Sequence, residues 1–356
     1  MKSIHIKHHT PEWKEWRRET GFGGSEIASV CATKSELIAD IVYTPPIKLY
    51  LDKIGEPVQE FTGNIASEGG HFFEPIILDW FRHWDLDEPD QIVMFNNIKN
   101  KRRVNKIIAQ RKTFYNENYP FLYNSPDAFL YRDRKKYAHV ECKMTTSMEA
   151  NRYKNRVNPS HILQVQEGML ISGIPKAFIC MIVDGKWFEV IEIDASEAQQ
   201  KFIIETASAL WLQILQARKL KLEYDITRYY GVNPDFLSTK QREGAELLLQ
   251  LEPEFTGTEH EYDFIKEMFV PTEEYTEMQG TSEQWDLGLK YHEINTQMKQ
   301  LSKQKSKVTQ GLIKSLGGYH EAKFDEGHVS YKKDSRGISK IYVSPKIKEH
   351  EEKETS

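Results

Sequence analysis

Polar and apolar residues alternate along Tyr137-Ala138-His139-Val140-Glu141-Cys142-Lys143-Met144. Ala138, Val140, Cys142 and Met144 share one side, and Tyr137, His139, Glu141 and Lys143 the other. A period of two predicts a β-strand. Tyr123-Asn124-Ser125-Pro126-Asp127-Ala128-Phe129-Leu130 reads as its partner, and the wholly polar run from Arg132 to Lys136 as the tip of a hairpin. A hairpin symmetric about Arg134 sets Asp127 opposite Glu141. Facing carboxylates repel and weaken a sheet. A fold keeps them more readily when a positive group stands between them, such as a divalent cation or the ammonium of Lys143. Acid, acid and lysine on adjacent strands suit metal-assisted attack on a phosphodiester. An ordinary strand with surface charges gives the same pattern, so the hairpin alone leaves both readings open.

The patterning orders the rest of the chain. Ile47 to about Lys53 predicts a helix. Between Gly63 and Phe81, the residues Phe73, Ile76, Ile77, Trp80 and Phe81 recur at helical spacing. Glu74 borders that stripe, as a solvated flank or a site group. Pro75 fits only near a helix start or a kink. Ile107 to Glu117 reads as a strand and Phe121 to Tyr131 as its antiparallel neighbour. Pro159 opens a helix through about Ile171, with Ile162, Val165 and Met169 on its buried face and Gln164 beside them. Lys176–Val183, Asp184-Gly185 and Lys186–Ile193 predict a hairpin with a type I′ turn. Ser196 to Lys219 predicts a long helix. This order predicts an α/β (α+β) fold with a central mixed β-sheet flanked by helices.

Beyond about Leu222 the pattern changes. An acidic, loop-rich segment runs to about Gly280. Tyr291, Ile294, Met298, Leu301, Val308 and Leu312 then recur every three or four residues. They predict a helix of about 30 residues that packs on a partner helix or on the body. Lys305 interrupts its seam. A hairpin is expected from Glu321 to Val343, and a charged, disordered tail from Lys346. The expected division is a core at 1–222, an accessory region at 223–345 and a tail at 346–356.

Composition narrows the class. No run of about 18 apolar residues occurs, and the N-terminus lacks an apolar signal core, so a cytoplasmic protein with no membrane contact is expected. Cys31, Cys142 and Cys180 are too few and too scattered for a disulfide framework, a structural zinc site or a four-cysteine cluster. The net charge of −5 argues against a generic nucleic-acid coat protein. Local charge differs: Lys99, Lys101, Arg102, Arg103, Lys106, Arg111 and Lys112 fall in one stretch without an acid. That stripe suits a defined DNA path, or is a solvated strand edge. Gly21-Phe22-Gly23-Gly24-Ser25 ahead of a capped helix can hold a phosphate, or is an ordinary glycine-rich loop.

Five motifs stand in a recognisable order: Arg18 with Gly23-Gly24-Ser25-Glu26; Gly70-His71-Phe72-Phe73-Glu74; Ser125-Pro126-Asp127; Glu141-Cys142-Lys143; and Gln164-Val165-Gln166. Together they resemble the phage-type alkaline exonucleases, the YqaJ and lambda-exonuclease group of the PD-(D/E)XK nucleases, over about residues 10 to 220. The resemblance implies a restriction-endonuclease-like core with a C-terminal helical and β-hairpin extension. It implies Asp127 and Glu141 as main metal ligands, with the backbone carbonyl of Cys142, and Glu74 holding the metal or its water. Lys143 would orient the attacking water, and Gln164 would position the lysine or the water. A 5′-phosphate pocket would map to Arg18, Ser25 and Ser125.

The implied activity is Mg²⁺-dependent hydrolysis of linear duplex DNA from its ends, 5′→3′, with Mn²⁺ able to substitute. The 3′ single strands left behind would serve an annealing protein. A ring trimer is implied for the assembly. Ala128 departs from the glycine usual after the acid, so that turn is expected to differ. A PD-(D/E)XK endonuclease of restriction or junction-resolving type is the alternative, as is a nuclease-fold module that loads a recombination partner.

Overall fold

The computed structural model describes residues 2–8, 10–58, 65–269, 280–317, 319–333 and 338–345. It divides into two compact units, Met1–Pro271 and Thr272–Ser356. The expected start of the stripe helix at Gly63 and the tail from Lys346 lie outside the described residues.

In the first unit, β1 (Lys2–Ile4), α1 (Pro11–Thr20), β2 (Phe22–Gly23), α2 (Ile27–Ala32), α3 (Glu36–Ala39), α4 (Pro46–Lys53), α5 (Ile65–His83) and α6 (Gln91–Lys99) precede most of the strands. Then come β3 (Lys106–Ala109), β4 (Thr113–Asn116), β5 (Tyr119–Asn124), β6 (Ala128–Arg132), β7 (Lys135–Thr145), α7 (Ser147–Ala150) and α8 (Pro159–Ser172). β8 (Lys176–Val183), β9 (Trp187–Asp194), α9 (Glu197–Glu223), α10 (Thr239–Leu249) and α11 (Glu259–Met268) follow.

The central sheet has the order β3-β6-β7-β8-β9, and only β7–β8 is parallel. The alternation in β7 separates two buried layers. Ala138 and Val140 join Ile77, Leu78 and Phe81 of α5, together with Phe178 and Cys180 of β8. On the other face, His139 bonds Ser172 of α8 at 2.7 Å. Val165 and Met169 of α8 pack against Ala177, Ile179 and Met181 of β8. Asn158 caps α8 by accepting from the Ser160 N–H, and Pro159 opens it, as its fixed φ favours. Asp184 and Gly185 both have positive φ (53° and 70°), the geometry a type I′ turn demands.

The strands around the site are shorter than the sequence predicts. Neither Ile107–Glu117 nor Phe121–Tyr131 is one strand. Each breaks in two, and the halves join different sheets: β3 and β6 the central one, β4 and β5 a second with order β1-β4-β5-β2. Pro126 explains the break, since it has no N–H for a ladder. Across the gap, the Gln110 N–H donates to the Asp127 carbonyl at 2.8 Å. Past it, Ala128 pairs with Val140, and a bulge between Leu130 and Tyr131 precedes the Asp133-Arg134 turn.

Patterning did not predict α1, α3, α6, α7, α10 or α11. α6 carries Ile92 to Phe95 consecutively rather than at helical spacing. α10 and α11 replace the expected acidic loop. Ile226, Tyr229, Leu248 and Phe264 share the core cluster of α2, α4 and α9, which is why the first unit continues past Leu222. Pro75 lies inside α5, where it has no N–H to offer the preceding turn.

In the second unit, α12 (Ser282–Leu316) starts at a Thr281 capping box and ends at Gly317 in a left-handed conformation. β10 (Glu321–Phe324), β11 (Gly327–Lys333) and β12 (Ser339–Pro345) form a three-stranded antiparallel sheet rather than a two-stranded hairpin.

Candidate active site

The acids meet at the end of the central sheet. Asp127 sits one residue before β6, and its Oδ2 accepts the Cys142 N–H at 2.7 Å. Glu141 and Lys143 project from β7 toward α8, and Lys143 Nζ lies 2.8 Å from Glu141 Oε1. Gln164 links the two. Its Nε2 donates to Glu141 Oε1 at 2.6 Å and its Oε1 accepts from Lys143 Nζ at 3.1 Å. Glu74 comes from α5, within electrostatic reach of both acids.

The charges determine what this centre can do. Burial first, then Glu141 and Glu74, raise the Asp127 pKa well above its ordinary value, against Lys143 and the Cys142 N–H. Burial and Glu141 raise Glu74, while His71 opposes them. Burial alone would lower the Lys143 pKa; Glu141 and Asp127 outweigh it, so the ammonium stays charged. Three crowded acids with one lysine leave negative charge that a cation would relieve.

The side-chain donors here are carboxylate oxygens, the type Mg²⁺ prefers. Among the described residues no donor reaches Asp127 Oδ1 or Glu141 Oε2. Also among them, no group of three or more His, Cys, Asp or Glu is placed to hold a metal ion by itself. Mg²⁺ needs none, since it binds through one or two carboxylates, keeps waters and adds substrate phosphate oxygens.

A second centre lies in the glycine loop. Glu26 accepts from Lys53 Nζ at 3.0 and 3.2 Å, from the Gly23 N–H at 2.8 Å and from the Tyr123 hydroxyl at 3.2 Å. Burial would raise its pKa, but Lys53 and Arg17 hold it down at about 2. Arg17 donates to Tyr123 Oη at 3.1 Å and Ser25 Oγ at 3.2 Å. Arg17, Arg18, Ser25 and Lys48 line a cavity of about 380 Å³ here. Arg18 is held by Glu15 and Asp52. Ser125 pairs with Thr113 at 2.8 Å and is not among the cavity's lining residues.

Thus Asp127, Glu141, Lys143, Gln164 and Glu74 are brought together, and Arg18 and Ser25 share the other site without Ser125. The sequence reading missed Arg17, Lys53 and Tyr123. Arg17 stood beside Arg18 with nothing local to rank them. Lys53 ends an apolar helix, where a buried lysine has no periodic signature. His161 was missed too. It lies one turn before Gln164, beside Lys143 in a cavity of about 110 Å³.

Residues 12–175, which contain both centres, match the model of the YqaJ-like viral recombinase domain. Over this stretch the chain is similar to that family. Among solved structures, the alkaline exonuclease LHK-Exo from Laribacter hongkongensis aligns over 61% of this chain and 98% of its own, at 17% identity and TM-score 0.43. Its complex with dAMP gives the same figures. A phage-related exonuclease from Haemophilus somnus 129PT aligns over 56% and 96%, at 11% identity and TM-score 0.37. No curated protein matches the chain. Among the described residues no helix is long and apolar enough to cross a membrane.

Proposed function

We propose that the YqaJ-like domain makes this chain a Mg²⁺-dependent exonuclease on linear duplex DNA, degrading one strand 5′→3′ and leaving 3′ single strands for an annealing protein. The observation that carries the reading is the Asp127–Glu141–Lys143 centre locked by Gln164, with Glu74 added from the helix on the opposite face.

Asp127, Glu141 and Glu74 would hold the ion, with the Cys142 carbonyl beside them and Mn²⁺ as a substitute. Bound there, it would supply a more acidic water and charge balance for the leaving oxygen. Lys143 orients the water and meets the negative charge developing on the phosphorane oxygens. Gln164 holds Lys143 and Glu141 at fixed separation, so neither must be ordered during the reaction. The Arg17–Ser25 cavity suits a terminal phosphate, with Arg18 and Lys48 adding positive charge. The basic stripe, Lys99 to Lys112, includes Gln110, whose N–H is bonded to the Asp127 carbonyl, and so leads a DNA backbone to the acids.

The test uses three substrates with Mg²⁺: 5′-phosphorylated linear duplex, its 5′-hydroxyl counterpart, and a covalently closed circle. Rapid loss of the first, slower loss of the second and survival of the third are expected. Cleavage of the circle would make the enzyme an endonuclease. Undiminished activity in Lys143→Ala would remove the proposed chemistry.

A further inference from the structure

α12 carries an apolar seam that its own unit leaves uncovered. Leu287, Tyr291, Ile294, Met298, Leu301 and Val308 are exposed, each by 47% or more, and Leu312 is half-buried. With Lys305 they alternate spacings of four and three, the repeat of a two-helix coiled coil.

Two features select the occupant. The first is register. Laid antiparallel on itself about the midpoint between Lys299 and Gln300, the helix pairs Leu287 with Leu312, Tyr291 with Val308, Ile294 with Lys305, and Met298 with Leu301. Every seam position meets a seam position, and Lys305 faces an isoleucine along which its methylenes can lie while the ammonium reaches water. The second is charge. The first half of the helix holds Glu283, Asp286 and Glu293 against Lys290 and Lys299, while residues 300–316 hold Lys303, Lys305, Lys307 and Lys314 and no acid. Antiparallel pairing sets the basic half against the half that contains the acids. A parallel dimer or trimer would stack the basic half on itself and bury Lys305 against its own copies.

We propose that α12 is a homodimerisation helix that pairs antiparallel with α12 of a second copy of this chain. The seam from Leu287 to Leu312 runs about 38 Å at 1.5 Å per residue. Burying it in both copies removes on the order of 1,500 Å² from water, within the range of stable interfaces. The inference stands apart from the nuclease reading, since it uses no residue of the YqaJ-like domain.

Cysteine cross-linking in the full chain tests it. Under mild oxidation, the double variant Leu287→Cys/Leu312→Cys should form a covalent dimer at least tenfold faster than either single variant. Equal rates, or rapid cross-linking of Leu287→Cys alone, would overturn antiparallel pairing. In light scattering, Ile294→Glu/Leu301→Glu should halve the number of copies per particle, with helix content unchanged. Lys305→Leu should tighten association about tenfold. A wild-type chain that stays monomeric would assign the seam to a different protein and sink the proposal.

Discussion

Gln164 donates its amide to Glu141 at 2.6 Å, and with its other end it accepts from the lysine that also pairs with that glutamate. This three-way lock ties α8 to the acid–lysine pair. Gln164→Leu keeps the helix and removes both bonds. We expect kcat to fall about 100-fold with KM changed less than about threefold, the signature of lost orientation rather than lost binding. Steady-state rates on linear duplex check it. A parallel rise in KM would place Gln164 on the DNA instead.

Arg17 and Arg18 should separate cleanly. Arg17 donates to Ser25 and pairs with Glu26, whereas Arg18 is already held by Glu15 and Asp52. Arg17→Ala should lower the preference for 5′-phosphorylated over 5′-hydroxyl ends about tenfold. It should also destabilise the fold by about 2–3 kcal/mol, because Glu26 loses a buried partner. Arg18→Ala should change the preference less than about threefold. The ratio of rates on the two end types, with a denaturant curve for each variant, decides between them.

The contrast shows what was legible. Alternation in β7 and a symmetric tip about Arg134 were sufficient to bring Asp127 and Glu141 together, because a strand's period fixes which residues share a face. Gln164 was implied only by the family resemblance, since a place beside the buried stripe of α8 names no role by itself. Arg17 and Lys53 act through contacts made across the fold, and no local period encodes those. Pro126 was visible, yet its effect was underestimated: it moves the chain from one sheet to the other. The acidic segment hid α10 and α11, whose few core residues, such as Leu248 and Phe264, are spread among charged ones.

Asp127→Asn should abolish cleavage and yet stabilise the protein. It removes one of three crowded acids whose burial costs free energy without a cation. In cation-free buffer its Tm should rise by about 2–4 °C, the equivalent of about 1 kcal/mol for a domain of this size. Added Mg²⁺ should raise the Tm of the wild type and leave the variant unmoved. Equal Mg²⁺ shifts in both would place the ion elsewhere.

Stability should fall as pH rises from about 4.5 to 7. Glu252 accepts from the Tyr229 hydroxyl at 2.8 Å, and burial pushes its carboxyl up to about 7. The folded state therefore binds this proton more tightly than the unfolded one. That contribution is complete below the unfolded pKa and is lost as pH passes through 7. With partial solvent screening it amounts to about 1–2 kcal/mol. Glu252→Gln should flatten this decline in pH-dependent melting curves. An unchanged slope would assign the decline to other groups.

Gly21 should tolerate no side chain. Its φ is +148°, and a Cβ there would stand 2.1 Å from the Phe121 carbonyl oxygen, a backbone atom that cannot turn aside. Gly21→Ala should cost more than about 2 kcal/mol and disturb the Arg17 cavity along with stability. Melting temperature and end preference should fall together. A variant that keeps both would mean that the loop can open without loss.

Only Ser125 and Pro126 separate Asn124, the last residue of β5, from Asp127. Tyr123 in β5 is bonded to Arg17 in the cavity. The proposed end-holding site and the acids are thus tied by a strap of four residues, which spans at most about 14 Å. Covalent geometry therefore caps how much nucleotide strand fits between them. The stride of the enzyme along DNA would be set by the length of this strap, and inserting one residue into it would change the length of the pieces released.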